Sequence, residues 1–160
     1  MEFQNTLNVL NEYGKLFVEE YKQQLINNDV NASNKLYDSV TLLPIKVNNN
    51  FYEVQISLEE YWKYVEKGRL PGKWPPISKI KEWIEIKPVL PRPMKNGKLP
   101  TTQQLAFLIA RKIGLNGIKP RQLLQYSVEE IWKIMKEELE TALALDVQNE
   151  IKTIMGKMRG

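Results

Sequence analysis

The side chains that most often carry chemistry at neutral pH are missing from this 160-residue chain, which has neither cysteine nor histidine. Disulfides, thiolate nucleophiles and the usual zinc sites are therefore excluded. So is any serine or cysteine nucleophile activated by an imidazole. Carboxylates, lysines and tyrosines remain. The paired acids Glu59–Glu60, Glu129–Glu130 and Glu137–Glu138 sit in helix-forming stretches, where adjacent carboxylates are ordinarily solvated rather than aimed at one substrate. Asp29, Asp38 and Asp146 are isolated in sequence, so a magnesium site would need the fold to bring acids together. Glycine-rich phosphate loops are absent. The chain reads as a non-enzyme with no catalytic residue, no metal ligand and no cofactor.

The other chemistry open to such a chain is recognition. Tyr61, Trp62, Tyr64, Trp74 and Trp83 place five aromatics within 23 residues, interleaved with Lys63, Lys67, Arg69 and Lys73. Buried interface centres favour aromatics and arginine. The candidate contact surface is Trp62, Tyr64, Glu66, Gly68, Arg69, Lys73, Trp74, Pro75 and Pro76. The plainer reading puts Tyr64 and Trp83 in the protein's own core and leaves Trp62 and Trp74, beside charge or proline, nearer the surface. Glu66 beside Lys67 and Arg69 suits an inter-subunit charge pair or an ordinary solvated one. From Lys63 to Lys98 there are ten basic and three acidic residues, a local +7. That face suits DNA, an acidic neighbour or plain solvent.

These residues need elements to position them. Phe3, Leu7, Leu10, Gly14, Phe17, Tyr21 and Leu25 recur at three- or four-residue steps and predict a helix over 3–26, ended by the Asn- and Asp-rich run 27–34. Leu43, Ile45 and Val47, then Tyr52, Val54, Ile56 and Leu58, alternate as two strands, with Asn48, Asn49 and Asn50 as a hairpin turn. Pro44 cannot donate to a ladder, so its strand is an edge or carries a bulge. Ser57 is read as the N-cap of a short helix stopping at Gly68. A second short helix spans 76–86 with Ile77, Ile80, Trp83 and Ile84 on one face. Pro88, Pro91 and Pro93 force an extended segment, and Asn96–Gly97 is a turn. Thr101 caps a third helix that ends at Gly114 or Gly117. Ser127 and Glu130 read as the capping box of a last helix to about Met155, its buried stripe being Val128, Ile131, Trp132, Met135, Leu139, Ala142 and Leu143. The expected fold is α+β: a small antiparallel hairpin sheet packed against the N-terminal helix and further helices, with a long C-terminal helix. One domain is expected over 1–160, its core about 1–125 and its helical extension about 127–156.

The stretch from Tyr61 to Lys87 has a further meaning. Tyr61, Tyr64, Val65, Glu66 and Gly68, then Pro75 and Pro76, then Trp83 and Lys87 occur in that order. The pattern resembles the tailed-phage tail-completion and head–tail joining (neck) family. That family shows a Tyr-x-x-Tyr-Val-Glu-x-Gly helix end, a proline-containing loop, and a short helix with an aromatic and a basic end. Leu36, Ser39 and Val40 resemble the family's entry into its first strand. Leu105, Ala106, Ile109, Ala110, Lys112, Ile113, Gly117, Ile118, Pro120 and Arg121 resemble its later helix and Gly-Ile-x-Pro-Arg turn. The likeness covers roughly residues 30–125. Asn34 stands where the family usually has glycine, and the segment from Lys87 to Thr101 is longer and richer in proline. The resemblance implies a virion structural protein assembled in the host cytoplasm. It would be a subunit of a six- or twelve-fold ring of identical copies that joins a portal or adaptor protein to tail proteins, with DNA passing through the lumen. The composition and long last helix suit a short-tailed, crAss-like phage.

Two other readings stand beside it. Arg111, Lys112, Lys119 and Arg121 could flank a helix-turn-helix that binds DNA. A small nuclease or lysozyme-like hydrolase would need acids converging in a cleft. Only five of the 23 basic residues are arginine, whereas dedicated base readers lean on arginine's planar fork. The lysine, asparagine and isoleucine content also fits an AT-rich genome. No run of about 18 apolar residues is present, so no membrane span is expected. Met1 and Glu2 open a polar N-terminus without a signal peptide's basic and apolar regions, so the chain reads as used without export.

Overall fold

In a computed structural model the protein is α+β. The structure describes residues 3–30, 34–48, 51–87, 89–95 and 97–158. Outside them lie the turn residues Asn49 and Asn50, residues 31–33 of the polar run, Pro88 of the proline segment, Asn96 of the Asn96–Gly97 turn, and Met1, Glu2 and Arg159. The elements in order are α1 (Gln4–Asn27), α2 (Lys35–Ser39), β1 (Thr41–Leu42), β2 (Lys46–Asn48), β3 (Phe51–Glu53), β4 (Ile56–Ser57), α3 (Trp62–Lys67), α4 (Ile77–Ile86), α5 (Thr102–Asn116) and α6 (Leu123–Met158). They fall into two compact units. The first holds the chain up to Gln24, Ser39–Leu58 and the chain from Leu123 onward; the second holds Leu25–Asp38 and Glu59–Gln122.

The first unit is α1, the strands and α6. The predicted face of α1 is buried at Gly14, Phe17 and Tyr21, and Thr6 and Tyr13 are buried with it. Gly14 earns its place by being small: a Cβ there would come within 2.9 Å of the Leu42 side chain and 3.5 Å of Val54, so the sheet packs directly on the helix backbone. Both two-stranded sheets are antiparallel, β1 with β4 and β2 with β3. Leu42 faces Ile56 and Lys46 faces Glu53. Residues 43–45 of the first strand therefore oppose only residues 54–55 of the second, which is a bulge centred on Pro44. At the far end the backbone N–H of Phe3 donates to the Tyr52 hydroxyl at 2.8 Å, and the two rings stack at 6.5 Å.

Two expectations about α6 are corrected. The helix starts at Leu123, four residues before Ser127, so Ser127 is not a cap; it is fully buried inside the helix and its hydroxyl donates to the Leu123 carbonyl at 2.9 Å. The chain enters the helix through Gln122 at φ 51°, and this turn sets the start. The buried face is also rotated from the expected stripe. Leu123, Ser127, Ala142 and Asp146 are buried, with Ile131, Met135 and Leu139 half-buried between them, while Val128, Trp132 and Leu143 are exposed. Apolar residues occur around the whole circumference of α6, so periodicity alone could not select the inward face.

Asp146 belongs to that inward face. It reaches the first turn of α1, where its carboxylate accepts from the Asn5 and Thr6 backbone N–H groups at 3.1 and 2.8 Å. It also accepts from the Asn5 side-chain amide at 2.7 Å and the Thr6 hydroxyl at 2.8 Å. The first N–H groups of a helix have no partner within the helix. A carboxylate supplied from a distant helix satisfies two of them and meets the positive end of the helix dipole. Burial pushes the carboxyl pKa up, but the hydrogen bonds from Thr6 and Asn5 outweigh it and leave the pKa below the ordinary aspartate value of 3.8.

The second unit begins where α1 ends. Asp29 at φ 53° turns the chain, and Val30 N–H returns to the Leu25 carbonyl at 3.0 Å, a helix end of the left-handed kind. Asn34 takes φ 54°, a conformation that asparagine tolerates better than most residues. Ser57 is not the cap of α3, because it is paired with Thr41 in the β ladder. After it the chain makes tight turns, with Trp62 N–H to Glu59 O and Lys63 N–H to Glu60 O, before α3 begins at Trp62. Thr101 does cap α5: its hydroxyl accepts from Gln104 N–H at 3.2 Å and the Gln104 side chain accepts from Thr101 N–H at 2.9 Å. The extended proline segment turns around Gly97, which donates to Met94 O. Helix α4 packs along α5.

Candidate functional site

The segment from Gly68 to Pro76 joins α3 to α4 as an elbow, and its shape follows from three glycines. Gly68 closes α3 at φ 66°, a backbone that side chains rarely adopt. A Cβ on Gly68 would lie 2.2 Å from the Ile118 carbonyl oxygen, and one on Gly117 would lie 2.2 Å from the Arg69 carbonyl oxygen. The absence of both side chains lets two backbone segments touch. Arg69 and Ile118 form an isolated antiparallel bridge, with N–H to O distances of 2.9 and 2.8 Å in the two directions. Gly72 N–H then donates to the Gly114 carbonyl at 2.8 Å. Gly114 is the third glycine: its missing Cβ would stand 2.3 Å from the Trp74 ring. Trp74 lies flat against that bare patch of α5 and meets Phe107 edge-on, ring centres 5.7 Å apart.

Of the predicted contact residues, the structure gathers Gly68, Arg69, Trp74 and the buried Pro75 into this docked elbow. The Arg69 guanidinium donates to the Lys73 carbonyl at 3.0 Å across the bend, which closes the loop on itself. Lys73 and Pro76 are exposed, and Pro76 directly precedes α4 at φ −58°. Trp62 and Glu66 are half-buried on α3. The assignment of the aromatics to core and surface changes. Tyr64, a candidate contact residue that the plainer reading puts in the core, is 52% exposed and leans on Tyr61 at 6.3 Å. Trp74, expected nearer the surface, is 47% exposed, with its ring against Gly114 and Phe107 of α5. Trp83 is half-buried on α4.

Three residues of the site escaped the sequence reading. Leu70, at the bend of the elbow, is 86% exposed. In sequence Gly114 is legible only as a possible helix stop, yet one glycine suffices to end α5 and that one is Gly117, at φ 70°. A second glycine three residues earlier, inside a helix, costs about 1 kcal/mol relative to alanine, and that cost was the available sign of a close approach. Ile118 carries the bridge and is itself exposed. The unit also exposes Tyr61, Phe107 and Leu115.

Cations near the site have partners elsewhere in the unit. Arg121 N–H donates to the Val65 carbonyl at 3.0 Å, and its guanidinium donates to the Asn28 carbonyl. Lys87 binds the Asp29 carboxylate and donates to the Asp29 carbonyl at 3.1 Å. Among the described residues no group of three or more acids stands close enough to hold a metal ion, and no helix is long and apolar enough to cross a membrane. No family model, no curated protein and no solved structure matches the chain.

Proposed function

We propose that this protein is a structural subunit of a tailed phage's neck or tail-joining region, and that it closes into a ring of identical copies through the elbow. The reading is supported by the ordered likeness of residues 30–125 to the head–tail joining family and by the construction of the elbow itself. The observation that carries it is Leu70: a large apolar side chain, 86% exposed, held at the bend of a loop whose backbone is bonded on both sides of it, to Ile118 just past the end of α5 and to Gly114 within α5. An apolar residue on a mobile loop can fold away from water. One fixed outward on a rigid loop forgoes about 1.5–3 kcal/mol of burial unless something covers it. A preorganised apolar tip also loses little entropy on docking. The half-exposed rings of Trp74 and Tyr64 and the cation of Lys73 supply the mixed aromatic and basic character of interface centres.

Ring formation then means complementary patches on a subunit's two sides. A portal or adaptor protein lies on one face of the ring and tail proteins on the other. The basic stretch 63–98 faces an acidic neighbour or the DNA in the lumen. Substituting Trp74 would open a hole over Gly114, so the clean probe is Leu70→Lys, which removes the apolar tip and leaves the docked part of the elbow alone. Native mass measurement of the purified protein, alone and with the portal protein, should show an assembly for the parent chain. The Leu70→Lys chain should have unchanged helicity by circular dichroism and form no ring. A parent chain that binds neither itself nor portal and tail proteins, or a Leu70→Lys chain that assembles normally, removes the elbow as the contact.

A further inference from the structure

Asp146 is the last buried residue of α6; from Val147 to Met158 no residue is buried, and nothing lies within 4 Å of a Cβ built on Gly156. These twelve residues form about 18 Å of helix at 1.5 Å per residue. A helix of that length is marginal in water by itself. Yet the segment is apolar along one line. Val147, Ile151, Ile154 and Met158, each exposed, are spaced by four, three and four residues, the spacing of a coiled-coil seam. The charges beside that seam are equally ordered. Glu150 directly precedes Ile151, and Lys157 directly precedes Met158, so both occupy the same flank, seven residues apart.

We infer that this segment pairs antiparallel with the same segment of a second copy. With Ile151 set opposite Ile154 of the other copy, Val147 meets Met158 and the apolar line is covered along its whole length. In that register Glu150 of each copy comes beside Lys157 of the other, so two opposite-charge pairs form around a two-fold axis. A parallel pairing of the same seam sets Glu150 against Met155 and leaves no charge pair. The charge pattern thus selects both the partner, a second copy, and its direction. A contact of this length lies near the lower end of specific interfaces, about 1,000 Å² in total, so the pair should dissociate on dilution. The inference does not depend on the elbow or on ring closure.

The test is sedimentation equilibrium over a range of concentrations with the full chain carrying Leu70→Lys as the parent, so that the elbow contributes no association, and with Glu150→Lys, Lys157→Glu, the double exchange and Ile151→Asp added to it. All four changes fall on exposed or half-buried positions of a helix, and circular dichroism verifies that the fold is kept. The parent should show a reversible monomer–dimer equilibrium. Each single exchange sets like charges together at both flanks and should weaken it about tenfold. The double exchange should restore it, and Ile151→Asp should abolish it. A parent that stays monomeric at its highest soluble concentration overturns the inference, as does association that survives Ile151→Asp. Single exchanges that weaken the dimer without rescue by the double exchange overturn the antiparallel register.

Discussion

Each unit has a clasp that ties distant parts of the chain together, and the two clasps use opposite chemistry. In the first, the carboxylate of Asp146 crosses to the start of α1 and takes four hydrogen bonds from Asn5 and Thr6. In the second, the elbow is held to the end of α5 by the main-chain bonds Arg69–Ile118 and Gly72–Gly114 and by the Trp74 ring, an arrangement that needs glycine at 68, 114 and 117. One clasp is ionic and depends on the state of a proton. The other is steric and contains nothing that titrates. Geometry can therefore break the second but not acid, and acid can weaken the first without any clash.

The largest effect should come from the steric clasp. In Gly68→Ala the new Cβ meets the Ile118 carbonyl oxygen at 2.2 Å, and the residue must hold φ 66°. Neither partner is a flexible side chain, so the bridge must open. Backbone strain and loss of two hydrogen bonds should destabilise the protein by about 3 kcal/mol, read as a lower denaturation midpoint at unchanged slope. The loss should be the same at pH 7 and pH 5. An alanine tolerated within about 0.5 kcal/mol would mean the elbow is not pinned there.

Asp146→Asn should cost less, about 2 kcal/mol, because an amide presents one acceptor and one donor to a site that offers only donors. The pH dependence separates the clasps more sharply. The folded-state pKa of Asp146 lies below its ordinary value of 3.8, because the hydrogen bonds from Thr6 and Asn5 outweigh burial. A carboxylate depressed in this way stabilises the fold fully above that ordinary value. Its contribution is lost as pH falls through 3.8 and on through the lower folded-state pKa. Unfolding measured from pH 6 down to pH 3 should therefore fall less steeply in Asp146→Asn than in the parent, while Gly68→Ala should keep the parent slope. Parallel curves for all three would show that Asp146 carries no charge-dependent stability.

The same contrast explains what could be read from the residues beforehand. The α1 face, the Pro44 bulge, the Gly68 helix end and the Thr101 cap were legible because each rests on a local rule that a few neighbours satisfy. Proline lacks a donor, glycine accepts positive φ, and threonine caps. The roles of Gly114, Leu70 and Asp146 were not, because each depends on a residue far away in sequence. Gly114 matters only because Trp74 lies on it, and Asp146 only because α1 begins beside it. Asp146 and Ser127 were also invisible to a search for apolar stripes, since both are polar and sit on the buried face of α6.

Ser127 offers the smallest effect and a direct comparison with Thr101. Both were read as N-caps, and only Thr101 is one. Thr101→Ala removes the acceptor for Gln104 N–H and should cost about 1 kcal/mol, the usual value for a lost cap. Ser127→Ala removes a hydroxyl that donates back to the Leu123 carbonyl at 2.9 Å. That carbonyl lies at the right place to accept from the Ser127 backbone N–H within α6, so the alanine orphans nothing. The buried site also gains a better helix former. Ser127→Ala should therefore change stability by less than about 0.5 kcal/mol in either direction, measured by chemical denaturation beside Thr101→Ala. A loss equal to that of Thr101→Ala would place the start of α6 at Ser127 rather than Leu123, and would shift the buried face on which Asp146 depends.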